Sequence, residues 1–157
     1  MSSKVGDIVR YYYTDGSAKG NGTNESIGGF GIVEVDENNN ILWEYQDNNL
    51  INETNNSMEL TAILYALKHI EIEEVSFLKP IIYSDSAYCV NLINDWMYSW
   101  ARNGWKRPKN QEVKNLNLIK EIYKLADIAE IRKVKGHSDN KWNNYVDKLA
   151  TGEYKIN

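Results

Sequence analysis

Cysteine is nearly absent from this chain. Cys89 is its sole thiol, which excludes an internal disulfide and any zinc site built on several cysteines. Histidine is almost as scarce, and His69 and His137 alone are too few for a histidine-built zinc centre. No apolar run approaches the length that spans a bilayer, and the opening MSSKVGDIVR holds no apolar signal-peptide core. These absences point to a cytoplasmic, reducing setting with no membrane partner. Positive charge is also in deficit, with 18 Lys and Arg against 22 Asp and Glu for a net charge of −4. A general nucleic-acid binder is basic, so any polyanion partner must be met by a local basic patch or through bound cations.

What is present suits one globular domain. With 157 residues, 42% hydrophobic and 25% charged, the chain can bury a single core, and neither a repeat nor a linker divides it. Val9, Tyr11, Tyr13 and Asp15 share one face of a first expected strand, which Asp15 ends. Residues 16–29, rich in Gly, Ser, Asn and Thr, read as a loop. Residues 30–35 and 41–46 continue as an antiparallel meander across the polar turn 36–40. Asn55, Asn56 and Ser57 are helix-capping types before a helical pattern reaching about Ile70. Pro80 then opens the short apolar run Ile81, Ile82, Tyr83, closed by Ser84 and Asp85. A helix carrying Tyr88, Leu92 and Trp96 follows, and Leu116, Ile119, Ile122, Tyr123 and Ala126 mark another. Residues 128–134 read as a last strand and 141–151 as a last helix. Strands first, then helices alternating with strands, indicate a mixed α/β domain with helices packed on a mixed sheet.

Four carboxylates occupy suggestive positions. Asp15 lies on the packed face of its strand, where an unpaired charge is costly. Glu59 shares a helical stripe with Ile63, Ala66 and Ile70, so its carboxylate lies on an apolar face in the first turn of the helix. Asp85 follows a strand and precedes a helix, at the strand end where ligand sites gather in open α/β sheets. Asp147 sits between Val146 and Leu149 on the last helix. Each has an ordinary reading alone: a turn cap for Asp15, a helix-dipole partner for Glu59, an N-cap for Asp85, a solvated surface for Asp147. Together they suggest otherwise, because four carboxylates in one pocket repel unless cations neutralise them. Oxygen donors suit hard ions such as magnesium or manganese, and two such ions roughly 4 Å apart support phosphodiester hydrolysis.

The segments Thr14-Asp15-Gly16-Ser17, Asn55-Asn56-Ser57-Met58-Glu59-Leu60, Ser84-Asp85-Ser86 and Lys135-Gly136-His137-Ser138, with Asp147 after them, resemble the type 1 ribonuclease H pattern. Trp100, Gly104-Trp105-Lys106 and Val113-Lys114-Asn115 resemble that family between its third and fourth motifs. The similarity runs from about residue 8 to 152, with the motifs in order. It implies a single ribonuclease H domain over residues 1–157, of α/β (α+β mixed) class, with a five-stranded mixed sheet flanked by helices. It implies an endonuclease that hydrolyses the RNA strand of RNA–DNA hybrids with two Mg2+ ions, Mn2+ a possible substitute, leaving 5′-phosphate and 3′-hydroxyl ends. Asp15 would bridge both ions, Asp147 would help hold the one that activates water, and Glu59 and Asp85 the one facing the leaving group. His137 would assist proton transfer or product release. Asn21, Asn55 and Asn56 match positions contacting the RNA strand and its 2′-hydroxyls, which an amide can both donate to and accept from. Thr54 matches a position contacting a phosphate of the DNA strand. Residues 96–114 resemble the family's substrate-binding handle, with Arg102, Lys106, Arg107, Lys109 and Lys114 as phosphate-binding candidates and the interleaved tryptophans packing inward. A monomer without an obligate protein partner is expected. The alternative is a non-catalytic nucleic-acid-binding module on the same fold.

Some positions depart from the family pattern. Ala101 and Asn103 stand where basic residues are common, Ala87 where a substrate-touching Gln is frequent, and Asn144 where a Glu is common. The loop expected at residues 16–29 is longer than usual and lacks proline, and too little chain precedes the first strand for an extra hybrid-binding module. With so thin a basic handle, hybrid cleavage should fall early as salt rises, because phosphate contacts weaken with ionic strength. A salt titration of the initial rate tests this, and a flat profile from low to moderate ionic strength would contradict it.

Overall fold

The computed structural model describes residues 9–20, 26–73, 78–135 and 140–157. In it β1 (Tyr11–Lys19), β2 (Ile27–Val35) and β3 (Ile41–Ile51) form an antiparallel meander. Helix α1 (Asn55–Glu73) crosses to β4 (Ile81–Ser84), which pairs parallel with β1 on its other edge. One helical run then comprises α2 (Ala87–Asn91), a π-helical segment at Leu92–Trp96 and α3 (Met97–Arg102). A short ribbon of β5 (Lys106–Arg107) and β6 (Gln111–Glu112) leads to α4 (Leu116–Leu125), β7 (Glu130–Lys133) and α5 (Lys141–Thr151). The main sheet has five strands in the order β3-β2-β1-β4-β7, with β7 parallel to β4. The class and the five-stranded mixed sheet agree with the sequence reading.

Side-chain alternation sets the layers. Tyr12, Phe30, Ile32 and Ile82 face a core filled from α1 and α4 by Ile63, Leu67, Ile119 and Ile122. On the other face Val33 and Val35 meet Trp142, Val146 and Leu149 of α5, with Tyr11 and Tyr13 at its margin. β2 is therefore buried from Gly28 to Val35, as expected of a strand covered on both faces. Each fully buried Leu, Ile or Val contributes about 1.5–3 kcal/mol through lost contact with water. Among the described residues no helix is long and apolar enough to cross a membrane.

Three local expectations need correction. β1 continues past Asp15 to Lys19 and β2 begins at Ile27, so the outer parts of the expected loop 16–29 are paired strand. Gly16 and Gly29 are strand residues there and points of close backbone approach. A Cβ on Gly16 would lie 2.3 Å from the carbonyl carbon of Met58, and one on Gly29 2.3 Å from the carbonyl oxygen of Ala150. Second, α1 already starts at Asn55, and its entry is tied by Thr54 and Ser57, the backbone N–H of each donating to the other's hydroxyl at 2.9–3.0 Å. That reciprocal pair satisfies two backbone donors at the helix entrance. Glu59 consequently lies in the second turn, and the first turn holds no acid. Third, the last strand is shorter than residues 128–134, because a 3-10 turn occupies Ala126–Ile128.

Packing of α5 on β2 depends on Gly31, where a Cβ would lie 2.4 Å from Leu149 Cβ and 3.1 Å from the Val146 carbonyl oxygen. Gly31→Ala should cost about 1–3 kcal/mol, the usual range for overfilling a close-packed interior. Equilibrium urea unfolding measures it, and an unchanged midpoint would contradict this account of the interface.

Candidate active site

Strand register brings the first two acids together. Thr14 of β1 pairs with Ser84 of β4 in parallel, so Asp15 and Asp85 are the next residues along adjacent strands at the same end of the sheet. The close approach of β1 to α1 at Gly16 brings in the third. The Gly16 N–H donates both to Asp15 Oδ1, at 2.9 Å, and to Glu59 Oε1. The Ser84 hydroxyl donates to Glu59 Oε2 at 3.2 Å. Oxygens of Asp15, Glu59 and Asp85 thus lie within 4.8 Å of one another. Asp15 and Glu59 are buried and Asp85 is exposed. Asp147, on the exposed side of α5, stands outside this trio, yet its charge reaches both Asp15 and Asp85.

The electrostatics follow from burial without compensation. Burial pushes the Asp15 carboxyl far above the usual range, and the neighbouring Glu59, Asp85 and Asp147 push it the same way. Glu59 is raised mainly by burial, offset in part by its bonds to Asp15, Gly16 and Ser84. Asp85, although its side chain reaches the surface, is raised by partial loss of solvent around its carboxyl and by Asp147, while the Lys133 ammonium draws it back. Among the described residues no ion pair includes any of these carboxylates. Buried carboxylates so crowded must either keep a proton or share a cation. An all-oxygen donor set of this kind suits a hard divalent ion.

The ordinary readings of three acids fail on geometry. Asp15 lies within a strand rather than capping a turn. Glu59 is too far along α1 to serve the helix dipole. Ser86 caps α2, its hydroxyl accepting the Cys89 N–H at 3.1 Å, which leaves Asp85 without that duty.

The remaining candidates are dispersed around this centre. Asn55 and Asn56 are exposed at the start of α1, and Asn55 Oδ1 accepts the Ala18 N–H of β1 at 2.7 Å. Thr54 lines a cleft of about 480 Å³ with Ser57, Asn115 and Asn117. Asn115 enters the sequence reading only through the segment Val113-Lys114-Asn115, and it stands at the start of α4 with a positive φ of 59° that Asn tolerates. Asn21 and His137 lie outside the described residues. In the handle Arg102, Lys106, Lys109 and Lys114 are exposed and Arg107 is half-buried, its Nε donating to the Glu112 carbonyl at 2.9 Å. None of these five cations is held in an ion pair among the described residues. Trp96, Trp100 and Trp105 pack against the core, as the sequence reading expected.

The family model for RNase H matches residues 9–155. A ribonuclease H of Acetivibrio thermocellus is 44% identical over 149 residues, covering 92% of this chain and 94% of the relative. Among solved structures, LC9-RNase H1, a type 1 RNase H with the type 2 active-site motif, aligns with a TM-score of 0.76 at 28% identity, over 94% of this chain and 72% of that one. A foamy viral protease-reverse transcriptase solved with an RNA/DNA hybrid aligns with a TM-score of 0.79 at 25% identity, over 99% of this chain and 21% of that one. The chain belongs to the ribonuclease H family, and its enzymatic class is that of a nuclease.

Proposed function

We propose that this chain is an endonuclease that hydrolyses the RNA strand of RNA–DNA hybrids, leaving 5′-phosphate and 3′-hydroxyl ends. The observation that carries the reading is the convergence of Asp15, Glu59 and Asp85 oxygens within 4.8 Å, with no cationic side chain paired to them among the described residues. Asp15, Glu59, Asp85 and Asp147 are the residues that would hold two divalent ions, Mg2+ or Mn2+ by the donor chemistry. Such ions supply charge to offset the phosphate and lower the pKa of attacking water.

The protein's own groups do the positioning. Gly16 and Ser84 fix both oxygens of Glu59, so that carboxylate meets its ligand without a search over rotamers. Asp15, central in the group, is held by its neighbour's N–H. Asn55 and Asn56 at the α1 start are suited to read a 2′-hydroxyl, which RNA has and DNA lacks. Thr54, in its polar cleft, is suited to a phosphate of the DNA strand. Arg102, Lys106, Arg107, Lys109 and Lys114 would track the duplex backbone and raise affinity without reading sequence. Asn21 and His137 keep the roles that the family resemblance gives them. The chain acts in this reading as one domain, without an obligate protein partner.

Asp85→Asn keeps the shape of the site and removes one charge. Mg2+-dependent cleavage of a labelled hybrid should drop well beyond the roughly 10–100-fold typical of losing an outer partner of a metal ligand. Hybrid affinity should persist, whereas a non-catalytic binding module would show no cleavage in the unaltered chain either. RNA duplex and DNA duplex should resist under the same conditions, and chelation should stop the reaction.

The raised carboxyls give a second expectation. The folded chain keeps protons on the Asp15 and Glu59 pair to higher pH than the unfolded chain does. Their contribution to stability is therefore full at low pH and is lost as pH rises through their folded values. Divalent ions compete with those protons, so Mg2+ should raise Tm more at about pH 8 than at about pH 6. Asp15→Asn should stabilise the ion-free protein at neutral pH and abolish most of the Mg2+ effect. Equal Mg2+ shifts at both pH values would refute the coupling.

A further inference from the structure

A second polar cluster lies toward the start of β1, and the proposed reaction makes no use of it. Arg10 precedes β1, Tyr12 lies in it, Glu34 is on β2, Trp43 on β3, and His69 and Glu73 are on α1. Tyr12 is 0% and Glu34 1% exposed. Arg10 Nη1 stands 3.0 Å from Glu34 Oε2 and 3.5 Å from Glu73 Oε1. His69 faces both acids, with Nδ1 3.8 Å from Glu34 Oε1 and Nε2 3.4 Å from Glu73 Oε1. The Tyr12 hydroxyl is 2.9 Å from His69 Nδ1, and the Trp43 indole stacks on the imidazole at 3.7 Å between centroids, 8° from parallel. Yet Glu34 Oε1 is buried with no hydrogen-bond partner among the described residues. Leaving such an oxygen unsatisfied is costly, so its position calls for a physical reason.

Two carboxylates against one guanidinium leave the cluster short of a positive charge. A metal ion fits poorly, because Arg10 already stands on both carboxylates and Tyr12 engages His69 Nδ1. The proton is the cation that displaces nothing. In the Nε2–H tautomer of neutral His69, which turns that N–H toward Glu73, Nδ1 would accept the Tyr12 O–H and the hydroxyl hydrogen would be shared away from Glu34. When a proton from solvent adds to Nδ1, the new N–H donates to the Tyr12 oxygen, and the hydroxyl hydrogen can turn to Glu34 Oε1. We propose that Tyr12, His69 and Glu34 form a proton-reversible hydrogen-bond chain, through which mild acid reverses the polarity of a joint between β1, β2 and α1.

The surrounding charges fix where the reversal occurs. Burial lowers the His69 pKa, Glu73 raises it and Arg10 lowers it, with a net displacement below the ordinary value. Burial raises Glu34, while Arg10 and the reach of the Tyr12 hydroxyl to its carboxylate oppose. The Tyr12 phenol is pushed up by burial and by Glu34, so it remains protonated throughout. Lys68, next to His69 in sequence, is turned away to Glu121 of α4 at 3.4 Å. Unfolded His69 takes its proton at the ordinary value of about 6.5, before the folded one does. The stability supplied by neutral His69 is therefore full above that value and declines as pH falls toward the folded pKa.

Imidazole nitrogen NMR on the full chain tests this, since only two histidines contribute and His69→Gln assigns the signals. His69 should be the Nε2–H tautomer at neutral pH and titrate below the ordinary value. Tyr12→Phe, which removes the hydroxyl from between them and leaves a protonated Nδ1 facing Glu34 Oε1 at 3.8 Å, should move that titration upward. Urea unfolding should show the unaltered chain losing more stability than His69→Gln between about pH 7.5 and about pH 5.5. An Nδ1–H tautomer at neutral pH, a titration unmoved by Tyr12→Phe, or equal losses in the two chains would overturn the proposal. So would saturable displacement of the His69 signals by equimolar Zn2+, which would make the cluster a metal site.

Discussion

The near contact of β1 with the backbone of α1 at Gly16 is the constraint on which the site depends. Only a residue without a Cβ lets the strand lie against Met58 and Glu59, and this same proximity lets one backbone N–H serve both Asp15 and Glu59. The carboxylates are thus held together by packing rather than by mutual attraction. Their repulsion is a cost that the core on either side of β1 sustains, as is common where a protein keeps a site ready for a cation.

Charge is divided in space rather than balanced by contact. The net charge of −4 conceals an acidic centre at the carboxyl ends of the parallel strands and a basic handle carrying Arg102, Lys106, Arg107, Lys109 and Lys114. Close pairing of the two would neutralise both. Among the described residues no ion pair joins the two groups, so the carboxylates stay open to cations and the basic side chains to anions.

β1 carries two buried polar clusters of opposite design. Around Asp15 no ion pair among the described residues meets the acids, and protons or divalent ions must supply the missing charge. Around Tyr12 and Glu34, Arg10 stands on both carboxylates, and His69 lies beside them. The first leaves its carboxylates open to a cation. The second spans its two carboxylates with a guanidinium and sets a titratable imidazole beside them.

Much of this was legible in the residues before any coordinates. The order of strands and helices followed from periodicity, and the stripe of Glu59, Ile63, Ala66 and Ile70, all buried, put a carboxylate on an apolar helix face. Ordered motifs pointed to the family. Other features were misread or invisible because they are properties of approach between distant segments. Gly16 and Gly29 looked like loop residues, since sequence cannot distinguish a glycine needed for a turn from one needed for a neighbouring backbone. The capping pair Thr54 and Ser57 fixed where α1 begins, and so denied Glu59 its helix-dipole role. The cluster of Arg10, Tyr12, Glu34, His69 and Glu73 gave no local signal, because its members come from three elements and meet only when β2 and α1 close on β1. Local pattern determined which residues face inward; only tertiary closure decided which inward-facing charges would meet.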